Sequence, residues 1–570
     1  MNRIKNRWKI AYGILGLTAI LLIWRSFFGI NFSDEPFYFA LAKRFAQGDG
    51  LLVDEWFPTQ LIGALLVPLY RIYIAIVGSV DGIILTARIL YVISSGLIAV
   101  YMLYVMKKQE ESCGYSILVA LAFMLYVRAG MGTFSYYSVG LESFVLFIFL
   151  IRHGKILGNG KFFYILAGIS FSISVLCMPH MVLLFVVLLL AYICRRRESF
   201  LEKNIGSFLL GILMSAAIFL LAYGSQILNG LENIPYILAD PEHQETAWMN
   251  VTETVKYMCF TYLKFTWPLY LLTMIGGVML KKKSKILRKW TGVYSIIVYA
   301  EFFLQAVYSR TFFEGGIVFA VLLLAIQIWL ADVNTESNHS DREYLILGVG
   351  FGLIWSMGSN VGIRVLNMGV LIADIWALKI LVTDMKNHGK YYRVMARASI
   401  TIMFAVICLN RFVDVYRDNV VWQLNTKVNS GSFKGIYTTA HRAQEYEIAV
   451  ADIRQYTGEE DRLAVQEVNP WVYLESSARC GSYSVWYVDY TDERNDAYYR
   501  KYEKNMPTAI YLLNPQFGTY ESWGWSSHGS DTVGKGSEQL ERYLQGLVDS
   551  GNYEKIRGDS GCFYKLVKSL

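Results

Sequence analysis

The sequence predicts an all-α polytopic membrane domain over residues 1–413, followed by a C-terminal extracytoplasmic α/β domain over 414–570. Three observations predict it. Hydrophobic residues make up 54% of the chain and charged residues only 17%, against roughly 45–50% and about 25% in soluble domains. The apolar excess is gathered into runs of about 15 to 25 residues, the length that crosses roughly 30 Å of hydrocarbon. These runs stop near Asp414, after which short strand-like stretches such as Leu463–Val465 and Ala509–Leu513 alternate with helical patterns. In that C-terminal part Tyr446, Val450 and Ile453 share one helix face, as do Leu540, Tyr543, Leu544 and Leu547.

The first run, Trp8 to Phe28, follows Arg3, Lys5, Arg7 and Lys9. No small-residue cleavage site follows it, so it reads as a retained first span with a cytoplasmic N-terminus. The run Leu61 to Gly78 is ambiguous, since Pro68 and Arg71 lie near its middle. Counting it as a span would place Lys107-Lys108, Arg195-Arg196-Arg197 and Lys281-Lys282-Lys283 outside, against the positive-inside rule. As a helix at the outer interface it leaves every basic cluster in the cytoplasm. Further spans are then expected near 84–106, 114–128, 138–151, 162–178, 181–194, 205–227, 259–280, 290–308, 315–331, 344–357, 365–383 and 395–412. With the first, this makes about 13 transmembrane helices and a multi-pass protein of the cell membrane with its C-terminal domain outside. Residues 29–81 and 228–258 become two large external loops.

The net charge of +7 is carried in short clusters between apolar runs, where it sets topology, so nucleic acid is not expected as a partner. Of seven cysteines, Cys113, Cys177, Cys194, Cys259 and Cys408 lie in or beside apolar runs and read as packing residues. Cys480 and Cys562 fall in the C-terminal domain, and their pairing stays open. Neither His-Glu-x-x-His nor Cys/His zinc spacing occurs among seven histidines. No Gly-x-x-x-x-Gly-Lys-Ser/Thr loop is present, which disfavours an ATP-driven pump. Gly348-Val349-Gly350-Phe351-Gly352 lies inside an apolar run and predicts close helix packing, and Gly558-Asp559-Ser560-Gly561 predicts a turn before the last strand.

The most informative stretch runs from Phe32 to Phe45 and includes Ser33-Asp34-Glu35-Pro36-Phe37-Tyr38. Pro36 suits a first helical position, with Ser33, Asp34 or Glu35 at the N-terminus. Phe37, Ala40, Leu41 and Phe45 form one apolar face, and Gly48 ends an amphipathic helix at the outer interface. Two adjacent carboxylates at headgroup depth either cap the helix or serve a reaction. A lipid-phosphate-linked sugar places its phosphate at that depth, where a carboxylate can deprotonate an acceptor hydroxyl.

The order of first span, external Asp34-Glu35-x-x-Tyr38, amphipathic helix, interfacial helix and second span resembles the membrane glycosyltransferases of the GT-C fold. Protein O-mannosyltransferases and lipid A aminoarabinose transferases are the nearest comparisons. The resemblance implies that Asp34 is the catalytic base, with Glu35 and Tyr38 completing the motif. It maps the interfacial helix onto Thr59–Gly78, the arginine that starts the second span onto Arg88, and a tight Pro-containing hairpin onto Ala167–Ala191 with Met178-Pro179-His180 at its turn. It covers about the first 200 residues in detail. Many members carry a further Asp in the next external loop, which here runs from Arg128 to Ser138 without one. No cofactor is assigned, and a divalent metal stays open.

The reading is an inverting glycosyltransferase that takes a sugar from a polyprenyl-phosphate donor and places it on a glycan, lipid or protein acceptor. Asp34 is its base and Glu35 a positioning partner. Arg88, Arg128, Arg310 and Arg364 are candidates for holding the donor phosphate, although snorkelling also explains an arginine at a span end. Tyr38, Asp54, Glu55 and His180 are candidate substrate contacts, with an exposed loop pair for Asp54-Glu55 and a capping or packing role for His180 as the plainer alternatives. The rival reading is a transporter or flippase of lipid-linked saccharides, which would place functional charges at mid-bilayer; Glu142, Glu301 and Asp374 fall inside expected spans. A third is a catalytically silent scaffold with a binding ectodomain.

Overall fold

The computed structural model describes residues 2–158, 160–194, 204–240, 247–257, a few positions between 259 and 301, 317–331, 341–359, 363–384, 390–465, 468–486, 493–514 and 544–567. Helices come first: α1 (Asn2–Arg25), α2 (Asp34–Ala46), α3 (Leu61–Val77), α4 (Ile83–Lys108), α5 (Cys113–Leu125), α6 (Tyr136–Ile156), α7 (Lys161–Cys177), α8 (Val182–Cys194) and α9 (Ile205–Gly230). After them come α10 (Ile234–Leu238), α11 (Ala247–Tyr257), α12 (Ile317–Ala331), α13 (Arg342–Met357), α14 (Ile363–Asp384) and α15 (Lys390–Phe412). The expected spans near 259–280 and 290–308 lie largely outside the described residues.

Among the described residues, four segments are long and apolar enough to cross a membrane: Asn6–Arg25, Ile83–Lys108, Ile205–Leu238 and Val365–Val382. α9 shows what such a surface requires, since Leu213, Ile218 and Leu221 on it are 65%, 66% and 88% exposed. Apolar exposure on that scale belongs against lipid or a partner. α5 has 13 residues, so it is about 20 Å long and falls short of a 30 Å hydrocarbon layer on its own. The expected close packing around Gly348 is present: a Cβ on Gly348 or Gly352 of α13 would strike Gly369, Leu366 or Ala373 of α14 within 2.5–3.0 Å.

The bundle has two chemically distinct ends. At one, Lys379 bridges Glu111 and Asp341 at 2.7 Å each, and Arg152 faces Asp341 and Glu343 at 3.6 Å. At the other, the last turn of α1 and the first turn of α4 meet α2 and the C-terminal domain. There Gly82 N–H donates to Gly431 and Ile84 N–H to Ser432. Gly29, with φ of +92°, leaves no room for a side chain, because a Cβ would lie 1.9 Å from Val415.

The C-terminal domain holds a small pair, β1 (Thr426–Lys427) with β2 (Tyr437–Thr438), and a five-stranded sheet. That sheet contains β3 (Arg462–Val465), β4 (Arg479–Cys480), β5 (Ala509–Leu513), β6 (Tyr553–Arg557) and β7 (Gly561–Leu566), in the order β4-β3-β5-β7-β6. β3 runs parallel to β4 and β5, whereas β7 runs antiparallel to β5 and β6. Packed with the sheet are α16 (Ala440–Tyr456), α17 (Pro470–Glu475) and α18 (Glu493–Lys501). Tyr446, Val450 and Ile453 are buried on one face of α16. Cys480 on β4 and Cys562 on β7 are both free. Two strands separate them, about 14 Å at the usual strand spacing, which is too far for a disulfide.

α2 pegs this domain to the bundle through two adjacent cations. Lys43 is buried and donates to the carbonyls of Tyr473, at 2.9 Å, and of Ser476, at the C-terminal end of α17. Burial depresses the Lys43 ammonium to about 8. Arg44, only 1% exposed, donates to Asp49 (3.0 Å), Glu55 (2.8 Å), Ser482 O (2.8 Å), Tyr498 Oη (3.2 Å) and Asp54 O. Both sides of the junction thus share one buried guanidinium. α3 packs along α2, with Gly63 against Leu41 and Phe45.

Removing one partner of a buried, fully bonded ion cluster costs about 3–5 kcal/mol, because the remaining charges lose their compensation. Arg44→Met should therefore lower the melting temperature of the purified protein markedly and admit proteolysis near residues 47–60. Adding Glu55→Gln to Arg44→Met should cost less than its effect alone. An unchanged melting curve for Arg44→Met would contradict this junction.

Candidate functional site

The N-terminus of α2 is capped from outside the helix. Asn31 Oδ1 accepts from Ser33 N–H at 3.0 Å, Ser33 Oγ at 2.9 Å and Asp34 N–H at 3.2 Å, an Asx turn that satisfies free donors at the helix start. α2 opens at Asp34, with Pro36 in its first turn rather than at its first position, and Ser33 makes no side-chain cap. The Asp34 carboxylate is therefore not needed for capping. Its Oδ2 lies 3.1 Å from Ser33 Oγ, 3.3 Å from Tyr416 Oη and 3.1 Å from Arg417 Nη1.

Glu35 is held differently from its neighbour. Arg88, in the second turn of α4, grips both its oxygens: Nε reaches Oε1 at 2.8 Å and Nη2 reaches Oε2. The remaining Arg88 donors go to the carbonyls of Ser26 (3.0 Å), Phe28 (3.3 Å) and Gly29 (2.9 Å). All five N–H groups of the guanidinium are thus engaged. In this arrangement Arg88 ties the chain leaving α1 to the start of α2, and phosphate would have to displace a protein partner to reach it.

Between these elements lies a cavity of ≈ 30 Å³, roomier than a single water needs. Glu35, Asn31, Tyr416 and three arginines, Arg25, Arg88 and Arg411, line it. Arg25 donates to Phe28 O at 2.8 Å and Asp414 O at 2.7 Å, but its buried Nε has no partner, and neither does the buried Nε of Arg411. Gly132 makes room for Arg411, since a Cβ there would sit 2.5 Å from its Nη1. Three cations are set against the Glu35 carboxylate in the lining and that of Asp414 within electrostatic reach of Arg25, leaving a surplus of positive charge and unsatisfied donors. Neither Arg25 nor Arg411 stood out in the sequence. The signal was a pair of arginines closing the first and the last long apolar helices of the N-terminal bundle.

The other candidates fall into distinct places. Tyr38 is buried and meets Tyr136 edge-on at 6.0 Å. Burial, and after it the charge of Asp34, pushes its hydroxyl well above the ordinary range, so it stays a donor. Arg128 lies 3.6 Å above the Tyr137 ring and within electrostatic reach of Asp34. Asp54 and Glu55 are not an exposed pair. Asp54 accepts from Gly50 N–H (2.6 Å) and Asn505 Nδ2 (2.7 Å), and Glu55 from Arg44 and Val485 N–H, so both are engaged in the junction below α2. His180 is exposed at the α7–α8 turn, beside Gly358. Arg310 lies outside the described residues, and Arg364 falls in the first turn of α14.

No group of three or more His, Cys, Asp or Glu able to hold a metal ion occurs among the described residues. The donor set argues the same way at this site, because Asp34 and Glu35 each face an arginine where a divalent cation would have to sit. Comparison with protein-family models and with curated proteins found no match for this chain.

Proposed function

We propose that the chain is an inverting glycosyltransferase of GT-C type, which moves a sugar from a polyprenyl-phosphate donor to an acceptor hydroxyl at the outer membrane–water interface. The observation that carries this reading is the juxtaposition of Asp34, relieved of capping by Asn31, with a cavity that holds an excess of buried arginine. The Asp34 side chain, 16% exposed, can be reached by an acceptor; buried guanidinium groups suit a phosphate leaving group. The bundle end with Lys107, Lys108 and Lys155 is the cytoplasmic end in this proposal, with about 13 spans, and the α2 end faces outward.

The reaction follows from those placements. The acceptor oxygen attacks the anomeric carbon from the face opposite the phosphate while Asp34 takes the hydroxyl proton. The bond from the anomeric carbon to the phosphate oxygen breaks, and polyprenyl phosphate leaves with the electron pair, its added charge met by Arg411 and Arg25. Glu35 and Arg88 position the helix start. Tyr38 and Arg128 flank Asp34 on the acceptor side. One observation favours the transporter reading: Asp374, fully buried in α14, has both carboxylate oxygens without a hydrogen-bond partner.

Two substitutions separate these readings. Asp34→Asn keeps size and polarity but cannot take a proton, so turnover should fall about 10²- to 10⁴-fold, with the cap at Asn31 intact and any fall in melting temperature limited to the lost Arg417 pair. Wild-type turnover in that variant would remove Asp34 as the base. Arg411→Met should weaken donor binding roughly 10- to 100-fold, the value of a charged hydrogen bond. It should leave stability unchanged or improved, since a buried cation beside two others is relieved. Loss of stability with unaltered donor affinity would assign Arg411 to the fold.

A further inference from the structure

Arg417 is the least expected feature of the site. It is a non-glycine residue with φ of +59°, a conformation that costs energy and persists only where surrounding contacts enforce it. Those contacts are identifiable. Arg442 Nη1 donates to the Arg417 carbonyl and lies 3.2 Å from Asp418 Oδ1. Asp418 Oδ2 accepts from Ile30 N–H and from Thr438 Oγ1, at 2.8 and 2.7 Å. The backbone is thus clamped to the chain leaving α1 and to β2. The Arg417 side chain bonds Ser33 Oγ and lies 3.1 Å from Asp34 Oδ2, with its guanidinium 4.9 Å from the ring of Tyr416, which lines the arginine cavity.

We propose that Arg417 is a donor-operated latch on Asp34: it occupies the base while the site is empty and turns to the phosphate of an arriving lipid donor. The inference rests on the donor reading above and adds an order of events to it. Asp34 Oδ2 cannot take an acceptor proton along a direction already filled by Arg417 and Tyr416. The phosphodiester of a donor in the neighbouring cavity offers the guanidinium a stronger partner than one carboxylate oxygen, because its two non-bridging oxygens share the negative charge and can be bridged at once. The exchange frees the base only when a leaving group is in place. It thereby disfavours idle proton uptake and water-driven loss of the sugar. Arg417 is a positioning residue in this scheme. The charged and titratable groups facing Asp34 are Glu35 and Tyr38 from α2, Arg128 from the turn after α5, and Tyr416 and Arg417.

The test reads the reactivity of the Asp34 carboxyl with a water-soluble carbodiimide, site by site, by peptide mass spectrometry of the full-length protein in detergent. A carboxylate oxygen covered by a guanidinium and a phenol hydroxyl is shielded from this reagent. Labelling of Asp34 should be low in the wild type, rise several-fold when polyprenyl monophosphate is added, be high in Arg417→Gln with or without the lipid, and be restored to wild-type behaviour in Arg417→Lys. Melting curves of each variant report folding and lipid binding independently. Equal labelling in wild type and Arg417→Gln overturns the latch. Lipid phosphate that raises the melting temperature without raising Asp34 labelling overturns the exchange. Lipid phosphate that does not bind at all overturns the donor reading and the exchange with it, while the difference between wild type and Arg417→Gln would still record the pairing itself.

Discussion

The buried pairing of Glu35 with Arg88 is the interaction on which the rest of the site depends. The chain leaving α1 must turn back to start α2, and the carbonyls of Ser26, Phe28 and Gly29 exposed by that turn all end on the same guanidinium that grips Glu35. One arginine therefore fixes the exit of α1, the entry of α2 and the second turn of α4. At the far end of α2, Lys43 and Arg44 do the equivalent for the C-terminal domain. α2 acts as a splint between bundle and domain, and Asp34, at its N-terminal end, pairs with Arg417 rather than with the helix.

Charge on this scale inside a protein is costly, and the two clusters respond to the cost in different ways. Around Arg44 every donor finds an acceptor, as buried polar groups in a stable junction should. Around Arg25 and Arg411 the accounting does not close, since a surplus of positive charge keeps two N–H groups without acceptors. A fold gains nothing by that arrangement, whereas an anionic ligand gains a desolvated, pre-oriented set of donors.

Much of the architecture was legible in the sequence, because lipid-facing helices and short strands leave strong patterns. The Gly348 packing motif, the α16 face and the strands at Leu463–Val465 and Ala509–Leu513 are all local in origin, whereas α2, expected to be amphipathic with one apolar face, is buried on every side from Glu35 to Phe45. What could not be read are the partnerships across long separations. Nothing near Arg44 indicates that it meets Ser482 and Tyr498, so Asp54 and Glu55, which share its cluster, looked like substrate contacts. The cap at Asn31 was hidden for a simpler reason, since the Asx turn places the capping oxygen two residues before the expected N-cap. Arg411 and Arg417 sit at the close of the last apolar run, where they resemble ordinary flanking charge until α1 and α2 are seen beside them.

The measurement that bears most directly on this account is the donor class. Purified protein would be given labelled polyprenyl-phosphate sugars and, separately, labelled nucleotide sugars, with membrane extract as acceptor. The account predicts transfer of label from the lipid-phosphate donor alone. Transfer from nucleotide sugars alone would contradict it, as would movement of an intact lipid-linked saccharide across vesicles without cleavage of its sugar–phosphate bond.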